Sequence, residues 1–377
     1  MEIRENSLEL YFHIPFCIKK CEYCDFLSGP ATRTRQEDYI YALLREMKTI
    51  SEKEKRSVDT IFIGGGTPSV PDWDVMEKFL KGMREDFNVS PDAEITIEAN
   101  PGTLTPEKLQ LYRKYGINRI SIGLQSPKDK ELKILGRIHN YSQFLESYHM
   151  AREAGFSNIN IALMFAIPGQ TCKGWLENLR TVAELGPEHI SAYSLIIEEG
   201  TPFYKKELDL PDEDSEYIMY EDTGKILGEY GYHQYEISNY AKKGRRCRHN
   251  EGYWTRMDYL GLGLGAASLL GNRRFSNTDS MEEYLKNSGS PEKIRKNQEN
   301  LSTYDEMSEF MFLGLRMTEG ISVKRFQECF GVPIEKIYGK VIDGYKKQGL
   351  LIEKNGRIFL SRPGIHVSNT IMADFLL

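Results

Sequence analysis

The chain has 377 residues, of which 40% are hydrophobic, and a formal net charge of −6. This length accommodates about two or three domains of ordinary size, and the composition is that of a folded protein. The acidic balance argues against nucleic acid as the main partner. No apolar run approaches the ~20 residues needed to cross a bilayer, and the first residues have no signal-peptide pattern. We therefore expect a cytoplasmic protein.

Short β-rich runs alternate with helical patterns through most of the first 200 residues. Strands are predicted at 8–14, 59–66, 94–99, 118–124, 158–167 and 189–196, and helices at 36–53, 72–85 and 174–185 among others. Strands that alternate with helices predict a parallel sheet. Because six such units are too few for a closed eight-stranded barrel, we expect an α/β fold with an incomplete (β/α)6 TIM-like barrel. The site should lie at the C-terminal ends of its strands.

A second region is predicted at the C-terminal end of the chain. Residues 286–302 are polar and are interpreted as a linker or an exposed helix, and three helical patterns then precede a hairpin at 351–361. Three helices and a hairpin predict a winged-helix-like α/β domain. The predicted domains are therefore residues 1–285 and 286–377. Winged helices bind DNA in some proteins and act as lids or docking surfaces in others, so the fold alone does not choose the function.

Three of the six cysteines lie in one short segment after the first predicted strand, YFHIPFCIKKCEYCDF. Cys17, Cys21 and Cys24 have the spacing C-x3-C-x2-C. In a reducing compartment, clustered cysteines indicate metal binding or catalysis rather than disulfides. Four thiolates are the usual ligands of a 4Fe–4S cluster, so three would leave one iron open for another ligand. Structural zinc sites pair two Cys or His units, and the sequence has no good second pair.

This spacing, with an aromatic residue at position 23, resembles the radical S-adenosylmethionine (SAM) superfamily. The resemblance implies that the three cysteines hold a 4Fe–4S cluster whose open iron chelates SAM. It also implies an electron donor, such as a flavodoxin or ferredoxin, if SAM is cleaved. The GGGTP run (64–68) would receive the SAM amino group, since glycines let a ligand approach the backbone. The family pattern assigns four residues to this SAM: Tyr11, Tyr23, Gly65 and Glu98.

Further motifs extend the resemblance over essentially the whole chain: HIPFC, IGGGTPS, EANPGTL, ISIGLQS, GRIH, HNEGYW and SRPGIHVSNTIMADFL. Together they resemble the oxygen-independent coproporphyrinogen III oxidase family, and within it the HemW-like haem chaperone branch. Phe26 stands where the oxidases carry an additional cysteine, and residues 249–254 match an HNxxYW signature of the chaperone-like branch. The longer N-terminal extension of the oxidases is also absent from the sequence.

The oxidase pattern includes a second SAM, and the resemblance assigns its ligands to Gly66, Thr67, Gln125, Arg137 and an acidic residue at position 162. The residue here is Ala162. An alanine side chain cannot accept a hydrogen bond. The second SAM site therefore lacks one of its ligands, whereas the first retains its full set.

The resemblance also implies haem or porphyrin binding and delivery of haem to client haemoproteins, with peripheral contact to membrane-bound clients as a further expectation. The basic run KKGRRCRHN (242–250) contains arginines, whose guanidinium groups match propionate carboxylates. Arg248 and His249 are the candidate haem contacts, with His249 or Cys247 as a candidate axial ligand. The alternative interpretation of this run is a solvated loop.

Three other functions remain open from the sequence. The first is a coproporphyrinogen III oxidase that decarboxylates two propionates, and the second is another radical SAM enzyme that acts on a tetrapyrrole or an unrelated substrate. The third is a nucleic-acid-binding protein built on the winged-helix-like domain. Whether the chain is an enzyme thus stays undecided at this point. Cys172 and Cys329 are predicted to pack as small apolar groups.

Overall fold

The structure is a computed structural model and describes residues 7–377. Its first half alternates strands with helices. The strands are β1 (Ser7–Ile14), β2 (Ser57–Gly65), β3 (Val89–Ala99), β4 (Arg119–Gln125), β5 (Ile159–Phe165) and β6 (His189–Ser194). The helices are α1 (Arg33–Ser51), α2 (Trp73–Asp86), α3 (Pro106–Lys114), α4 (Asp129–Ile134), α5 (Tyr141–Glu153) and α6 (Cys172–Glu184). Neighbouring strands from β1 to β6 pair in parallel, which confirms the six predicted strands and the α/β class.

Each of these strands has one apolar face, and the opposite face carries mostly polar side chains. On β1, Leu10 and Phe12 are fully buried, and the ring of Phe12 packs edge-on against Phe79 of α2 with centroids 5.1 Å apart. Successive side chains of a strand point to opposite sides, so the alternate residues Tyr11 and His13 face away from the helices. The hydrophobic core therefore lies between sheet and helices, and polar side chains line the inner face of the sheet.

The chain then extends this sheet at both edges. The elements are a 3-10 helix (Phe203–Lys205), α7 (Glu213–Glu229), β7 (His233–Gln234), β8 (Asn239–Ala241), α8 (Arg248–Trp254), β9 (Tyr259–Leu262), β10 (Ala267–Leu270), β11 (Arg273–Asn277), α9 (Met281–Asn287), α10 (Pro291–Ile294) and β12 (Arg295–Asn300). The strand order is β12-β11-β10-β9-β1-β2-β3-β4-β5-β6-β8-β7. Within residues 7–377 the two edge strands do not pair with each other, so the barrel is open as predicted.

Residues 295–300 correct one interpretation of the sequence. They are neither a linker nor a helix, because they form β12 and pair antiparallel with β11 at the edge of the large sheet. Five of the six side chains of β12 are exposed, which explains why the segment lacks an alternating hydrophobic pattern.

The C-terminal domain has its own core and a small antiparallel sheet. Its elements are α11 (Thr303–Gly314), β13 (Ile321–Ser322), α12 (Val323–Phe330), α13 (Ile334–Lys347), β14 (Leu351–Lys354), β15 (Arg357–Leu360), α14 (Arg362–His366) and α15 (Ser368–Ala373). The sheet order is β13-β15-β14. Phe326, Tyr338 and Phe375 are buried in this separate core. The winged-helix-like arrangement is confirmed. We propose that the predicted domain boundary at 285/286 moves to the end of β12.

No helix within residues 7–377 is both long enough and apolar enough to cross a membrane.

Candidate functional site

The three clustered cysteines lie in a loop that follows β1 at its C-terminal end. The loop is closed by backbone hydrogen bonds: the amide of Cys17 donates to the carbonyl of Gly29 (3.0 Å), and the amide of Gly29 donates to Pro15 (3.0 Å). Cys17, Cys21 and Cys24 are all free thiols with partial exposure. Burial raises the pKa of the Cys24 thiol, and the neighbouring Cys21 and Cys17 raise it further. Three free thiols in one short loop are suited to a metal cluster that they share.

The glycine run after β2 holds the beginning of this cysteine loop. The Gly66 amide donates to the Ile14 carbonyl (2.9 Å), and the Thr67 amide donates to the Phe16 carbonyl (2.7 Å). Gly65 has φ +109°, a conformation that favours glycine. A Cβ atom at Gly65 would lie 2.7 Å from the ring of His13. The run is therefore glycine because the backbones and the His13 ring approach too closely for side chains.

Gly66→Ala is predicted to displace the cysteine loop. Its Cβ would lie 2.7 Å from the carbonyl oxygen and 2.9 Å from the nitrogen of Phe16, the residue before Cys17. Overpacking of this kind costs about 1–3 kcal/mol. We expect lower stability in chemical denaturation and less iron after anaerobic reconstitution. Gly29→Ala, in the same loop but with no atom within 4 Å of the added Cβ, is the matched control. Equal iron contents in the two variants would contradict the prediction.

A hydrogen-bond network joins two of the cysteine sulfurs across three strand ends. The Thr67 hydroxyl lies 3.6 Å from Cys17 Sγ and accepts a hydrogen bond from Asn100 Nδ2 (2.8 Å). The Arg137 guanidinium donates to Asn100 Oδ1 (2.7 Å) and lies 3.5 Å from Cys21 Sγ. Hydrogen-bond donors directed at thiolate sulfurs stabilise their negative charge and tune the potential of an iron–sulfur cluster. Thr67 and Arg137 thus contact the cysteines themselves.

Glu98 lies beside the glycine run, on the inner face of β3. Its Oε2 accepts a hydrogen bond from the Gly65 amide (3.3 Å), and the side chain is partly exposed. Burial raises the pKa of Glu98 to about 7, although the Gly65 amide and the charge of Arg119 oppose the shift. A carboxylate with free lone pairs at this place can accept hydrogen bonds from a ligand's amino or hydroxyl groups.

Tyr11 and His13 precede the cysteine loop on the same face of β1. The Tyr11 hydroxyl is hydrogen-bonded to His13 Nδ1 (3.0 Å), and His13 Nε2 donates to the Leu27 carbonyl (2.9 Å). Burial lowers the pKa of His13, so this imidazole is neutral. Both ring nitrogens are engaged with protein atoms, which makes His13 a support of the cysteine loop.

Tyr23 is placed differently from the other predicted SAM contacts. Its ring packs against an apolar cluster that includes Leu135, Met164 and Phe203. Burial raises the pKa of its phenol, and the hydroxyl also interacts with Arg137, which opposes the shift. Tyr23 thus links the cysteine loop to the elements that follow β4 and β6.

Gln125 and Ala162 mark the predicted second SAM site. Gln125 ends β4 with φ +69°, and its side chain lies near Gly123, beside Asn100. A residue other than glycine at positive φ stores strain, a feature that is concentrated at functional sites. Ala162 lies opposite Gly123 on β4 and Ser191 on β6, so this part of the inner face has no carboxylate from β5. Thr67 and Arg137 are joined here through Asn100, and Gln125 lies beside them. Gly66 precedes Thr67 and contacts Phe16 instead, and position 162 adds only a methyl group.

Two residues of this site, Asn100 and His139, were not predicted from the sequence. Asn100 follows β3 directly, and that position at a strand end was the available signal. His139 belongs to the GRIH motif and lines a small pocket together with Cys21 and Arg137. Its Nε2 donates to the Leu124 carbonyl (3.2 Å), while its buried Nδ1 has no partner among the described residues. Burial and then the charge of Arg137 lower the pKa of His139 to about 4, so Nδ1 is a free acceptor.

The predicted haem contact His249 lies inside the barrel, at the end opposite the cysteines. Its Nδ1 is hydrogen-bonded to Thr60 (2.7 Å), its Nε2 to Tyr253 (2.9 Å), and its ring stacks on Phe62 with centroids 5.3 Å apart. The backbone amide of His249 donates to Glu94 (3.3 Å), which anchors the first turn of α8. In this arrangement no lone pair of the imidazole is free for iron.

The basic run before α8 divides into buried and exposed residues. Cys247 is fully buried and its thiol donates to Glu94 (3.6 Å); burial raises its pKa to about 12. Arg248 is half-buried and donates to the Asp92 carbonyl (2.8 Å). Arg246 forms ion pairs with two carboxylates, Glu251 and Glu319, and so ties α8 to the C-terminal domain. The end of the run, from Cys247, is thus built into the fold, whereas residues 243–246 are exposed. Haem contact through Arg248 or His249 remains a prediction.

The buried His249 predicts a pH dependence of stability. Burial, followed by the charge of Arg119, lowers the pKa of His249 from 6.5 to about 3. Between pH 6.5 and about pH 3 the His249 imidazole is protonated in the unfolded chain and neutral in the folded chain. The free energy of unfolding therefore falls as the pH drops from 6.5 towards 3. Relative to wild type, His249→Gln should lose less stability, by about 1.4 kcal/mol for each pH unit in that window. Denaturant unfolding between pH 7 and pH 5 measures the difference.

His233, exposed on β7, supplies the control for this measurement. His233→Gln should retain the wild-type dependence on pH. A wild-type slope in His249→Gln as well would mean that this imidazole is not held neutral in the barrel.

The donor set of the cysteine loop fits an iron–sulfur cluster. Among residues 7–377, no three His, Cys, Asp or Glu side chains converge closely enough to bind one metal ion. In an iron–sulfur cluster each thiolate binds a different iron. The three cysteines therefore need not converge on one point, as the ligands of a single metal ion do. Three free thiols in one loop can supply the three protein ligands of such a cluster, and the hydroxyl and guanidinium near two of them can donate hydrogen bonds to the sulfurs.

Comparisons with known proteins agree with this geometry. Residues 11–182 match the model of the radical SAM superfamily, and residues 301–367 match the HemN C-terminal domain. The chain is 36% identical to the heme chaperone HemW of Bacillus subtilis (strain 168), with 97% of this chain and 98% of that protein covered. It is 38% identical to the HemW of Lactococcus lactis, with 97% of each covered, and 41% identical to that of Escherichia coli, with 70% of each covered.

Among solved structures, the coproporphyrinogen III oxidase HemN of Escherichia coli, described as a radical SAM enzyme, superposes with a TM-score of 0.88. The superposition covers 99% of this chain and 90% of the HemN chain at 23% sequence identity, which shows that the two proteins share a fold. An open parallel barrel with three cysteines in the loop after its first strand defines a radical SAM protein, a class that implies a 4Fe–4S cluster and SAM. Within that class, the chain belongs to the HemW family.

Proposed function

We propose that this chain is a haem chaperone, which holds a 4Fe–4S cluster and SAM, binds haem and passes it to client haemoproteins in the cytoplasm. The observation that carries the proposal is the end-to-end similarity to relatives named heme chaperones, at 36–38% identity over 97% of the chain. Haem and client haemoproteins are the partners this function requires.

The cysteine loop is the proposed cluster site. Cys17, Cys21 and Cys24 would each provide one thiolate, and Thr67 and Arg137 would donate hydrogen bonds to the sulfurs of Cys17 and Cys21. When bound, such a cluster offers one open iron for SAM, which can be cleaved by one electron or can remain as a structural ligand. An external electron donor is needed only in the first case.

The glycine run and the inner face would hold SAM. Gly65 has no side chain to keep a ligand from its backbone, and Glu98, hydrogen-bonded to the Gly65 amide, keeps lone pairs for an amino or hydroxyl group. Tyr11 lies on the same face of the sheet, and its hydroxyl is hydrogen-bonded to the neutral imidazole of His13. Because Ala162 replaces the family's acidic residue, we propose that one SAM binds per chain.

Two residues separate this chain from the oxidase alternative. Phe26, 59% exposed, occupies the position of the oxidases' additional cysteine, and Ala162 leaves a gap in the second SAM site. The fold itself does not discriminate, since an oxidase has the same architecture. The chaperone function therefore stands on overall similarity, supported by these two positions.

One experiment tests chaperone against oxidase. Anaerobically reconstituted protein is titrated with haem, and the loaded protein is mixed with an apo-haemoprotein; in parallel it receives coproporphyrinogen III, SAM and a reductant. We expect a Soret shift that saturates near one haem per chain, transfer faster than from free haem, and no decarboxylation. Equilibrium dialysis on the same sample should find one SAM. Turnover of coproporphyrinogen without haem transfer would establish the oxidase instead.

A further inference from the structure

A cleft of about 500 Å³ lies between helix α8 and the C-terminal domain. Trp254, at the end of α8, forms one side, and Phe310 of α11 and Ile321 of β13 form the other. The volume is within the range of about 300–1,000 Å³ that small-molecule sites occupy. The cleft is separate from the cysteine loop, which stands at the opposite end of the barrel.

The two faces of α8 have different surroundings. The side chains of His249 and Tyr253 lie inside the barrel and are hydrogen-bonded to each other, whereas Glu251 and Trp254 line the cleft. The Arg316 guanidinium lies 4.4 Å from the centre of the Trp254 ring and holds it by a cation–π contact. The indole N–H of Trp254 is buried and has no hydrogen-bond partner within residues 7–377. An aromatic wall that is held in place is suited to a flat ligand.

The mouth of the cleft carries basic residues from the C-terminal domain. Lys324 is paired with Glu328 (3.5 Å), and Arg357 donates to the carbonyls of Glu319 and Gly320 (2.7 Å each). Arg325, exposed on α12, lines the cleft, and its guanidinium has no partner within the described part of the chain. It is therefore available for an anionic group on a ligand.

We propose that haem binds in this cleft, with its ring against Trp254 and Phe310 and a propionate at Arg325. The inference rests on the proposed haem chaperone function and adds the place of binding. A macrocycle with an apolar face and carboxylates at its edge matches an aromatic wall with a free guanidinium at the mouth.

The cleft also explains how haem could be released to a client. Among the described residues that line it, none is histidine or cysteine, and Met317 is the one with a side chain that commonly ligates haem iron. Recognition then depends on the porphyrin more than on the metal. A haem held without a strong axial bond dissociates readily, which suits a donor protein.

The test compares haem with iron-free protoporphyrin IX on the full-length reconstituted chain. Both should bind with affinities within a few-fold of each other. Arg325→Glu, an exposed substitution on α12, should weaken both about tenfold through loss of a charge-assisted contact, and Trp254→Phe should weaken them in the same direction. Arg245→Glu, exposed in the basic run, and Trp73→Phe, exposed on α2, are the matched controls and should bind like wild type.

Several outcomes would overturn the site. If haem binds the wild type and Arg325→Glu equally while Arg245→Glu loses it, haem lies at the basic run and the chaperone function stands. If iron-free porphyrin fails to bind while haem binds tightly, a metal ligand elsewhere dominates and the cleft is excluded. If wild-type protein binds no haem at all, the proposed function and the site fail together.

Discussion

Replacement of Cys17, Cys21 and Cys24 by alanine is expected to abolish cluster binding. Anaerobically reconstituted wild-type protein should contain about four irons per chain, the content of one cubane cluster, and the triple variant should contain almost none. All three thiols lie in one loop with partial exposure, and Thr67 and Arg137 contact two of them. Iron and sulfide analysis, together with the visible absorption of the cluster, measures the result.

The other cysteines supply the controls. Cys172, half-buried on α6, donates to the Ser215 carbonyl (3.6 Å), in keeping with the predicted packing role. Cys329 is exposed on α12, so the prediction that it packs as a small apolar group was wrong. Cys172→Ala and Cys329→Ala should keep the wild-type iron content. Full cluster content in the triple variant would show that these ligands lie elsewhere.

Glu98→Ala is expected to weaken SAM binding by about tenfold to a hundredfold. The loss of a charge-assisted hydrogen bond costs about 1.5–3 kcal/mol, and this carboxylate lies against the Gly65 amide with lone pairs to spare. Since the pKa of Glu98 is raised to about 7, its charged form predominates only above that pH. SAM affinity should therefore rise through pH 7 in wild type, and this rise should be absent from the variant. Anaerobic isothermal titration provides both measurements.

A surface glutamate gives the matched comparison. Glu85→Ala, exposed on α2, removes the same side chain away from the inner face and should leave SAM affinity and its pH dependence unchanged. Glu98→Gln keeps the shape without the charge and should fall between wild type and Glu98→Ala above pH 7. Equal affinity in Glu98→Ala and wild type would remove Glu98 from the SAM site.

Local patterns in the sequence were enough to predict the framework of the barrel. Alternating runs such as 8–14 and 118–124 predicted strands β1 and β4 closely, because the face of a strand that packs on helices needs an apolar residue at every second position. The C-x3-C-x2-C spacing is also local, since three ligands within one loop need little help from the rest of the chain. The polar strand β12 escaped prediction for the opposite reason: an exposed edge strand buries almost no side chains.

The composition of the site beyond the cysteines was decided by tertiary structure. Arg137 is 116 positions from Cys21, yet its guanidinium lies 3.5 Å from that sulfur, because parallel strands bring the loops after β1 and β4 to the same edge of the sheet. The basic run 242–250 predicted a site for haem propionates, but His249 lies inside the barrel, where it is hydrogen-bonded to Glu94 on β3 and Thr60 on β2. The sequence by itself thus determined the six parallel strands, the helices between them and the three cysteines, whose signals are local. Only the fold decided which distant side chains surround them, because burial and hydrogen bonding depend on what the sheet places opposite each residue.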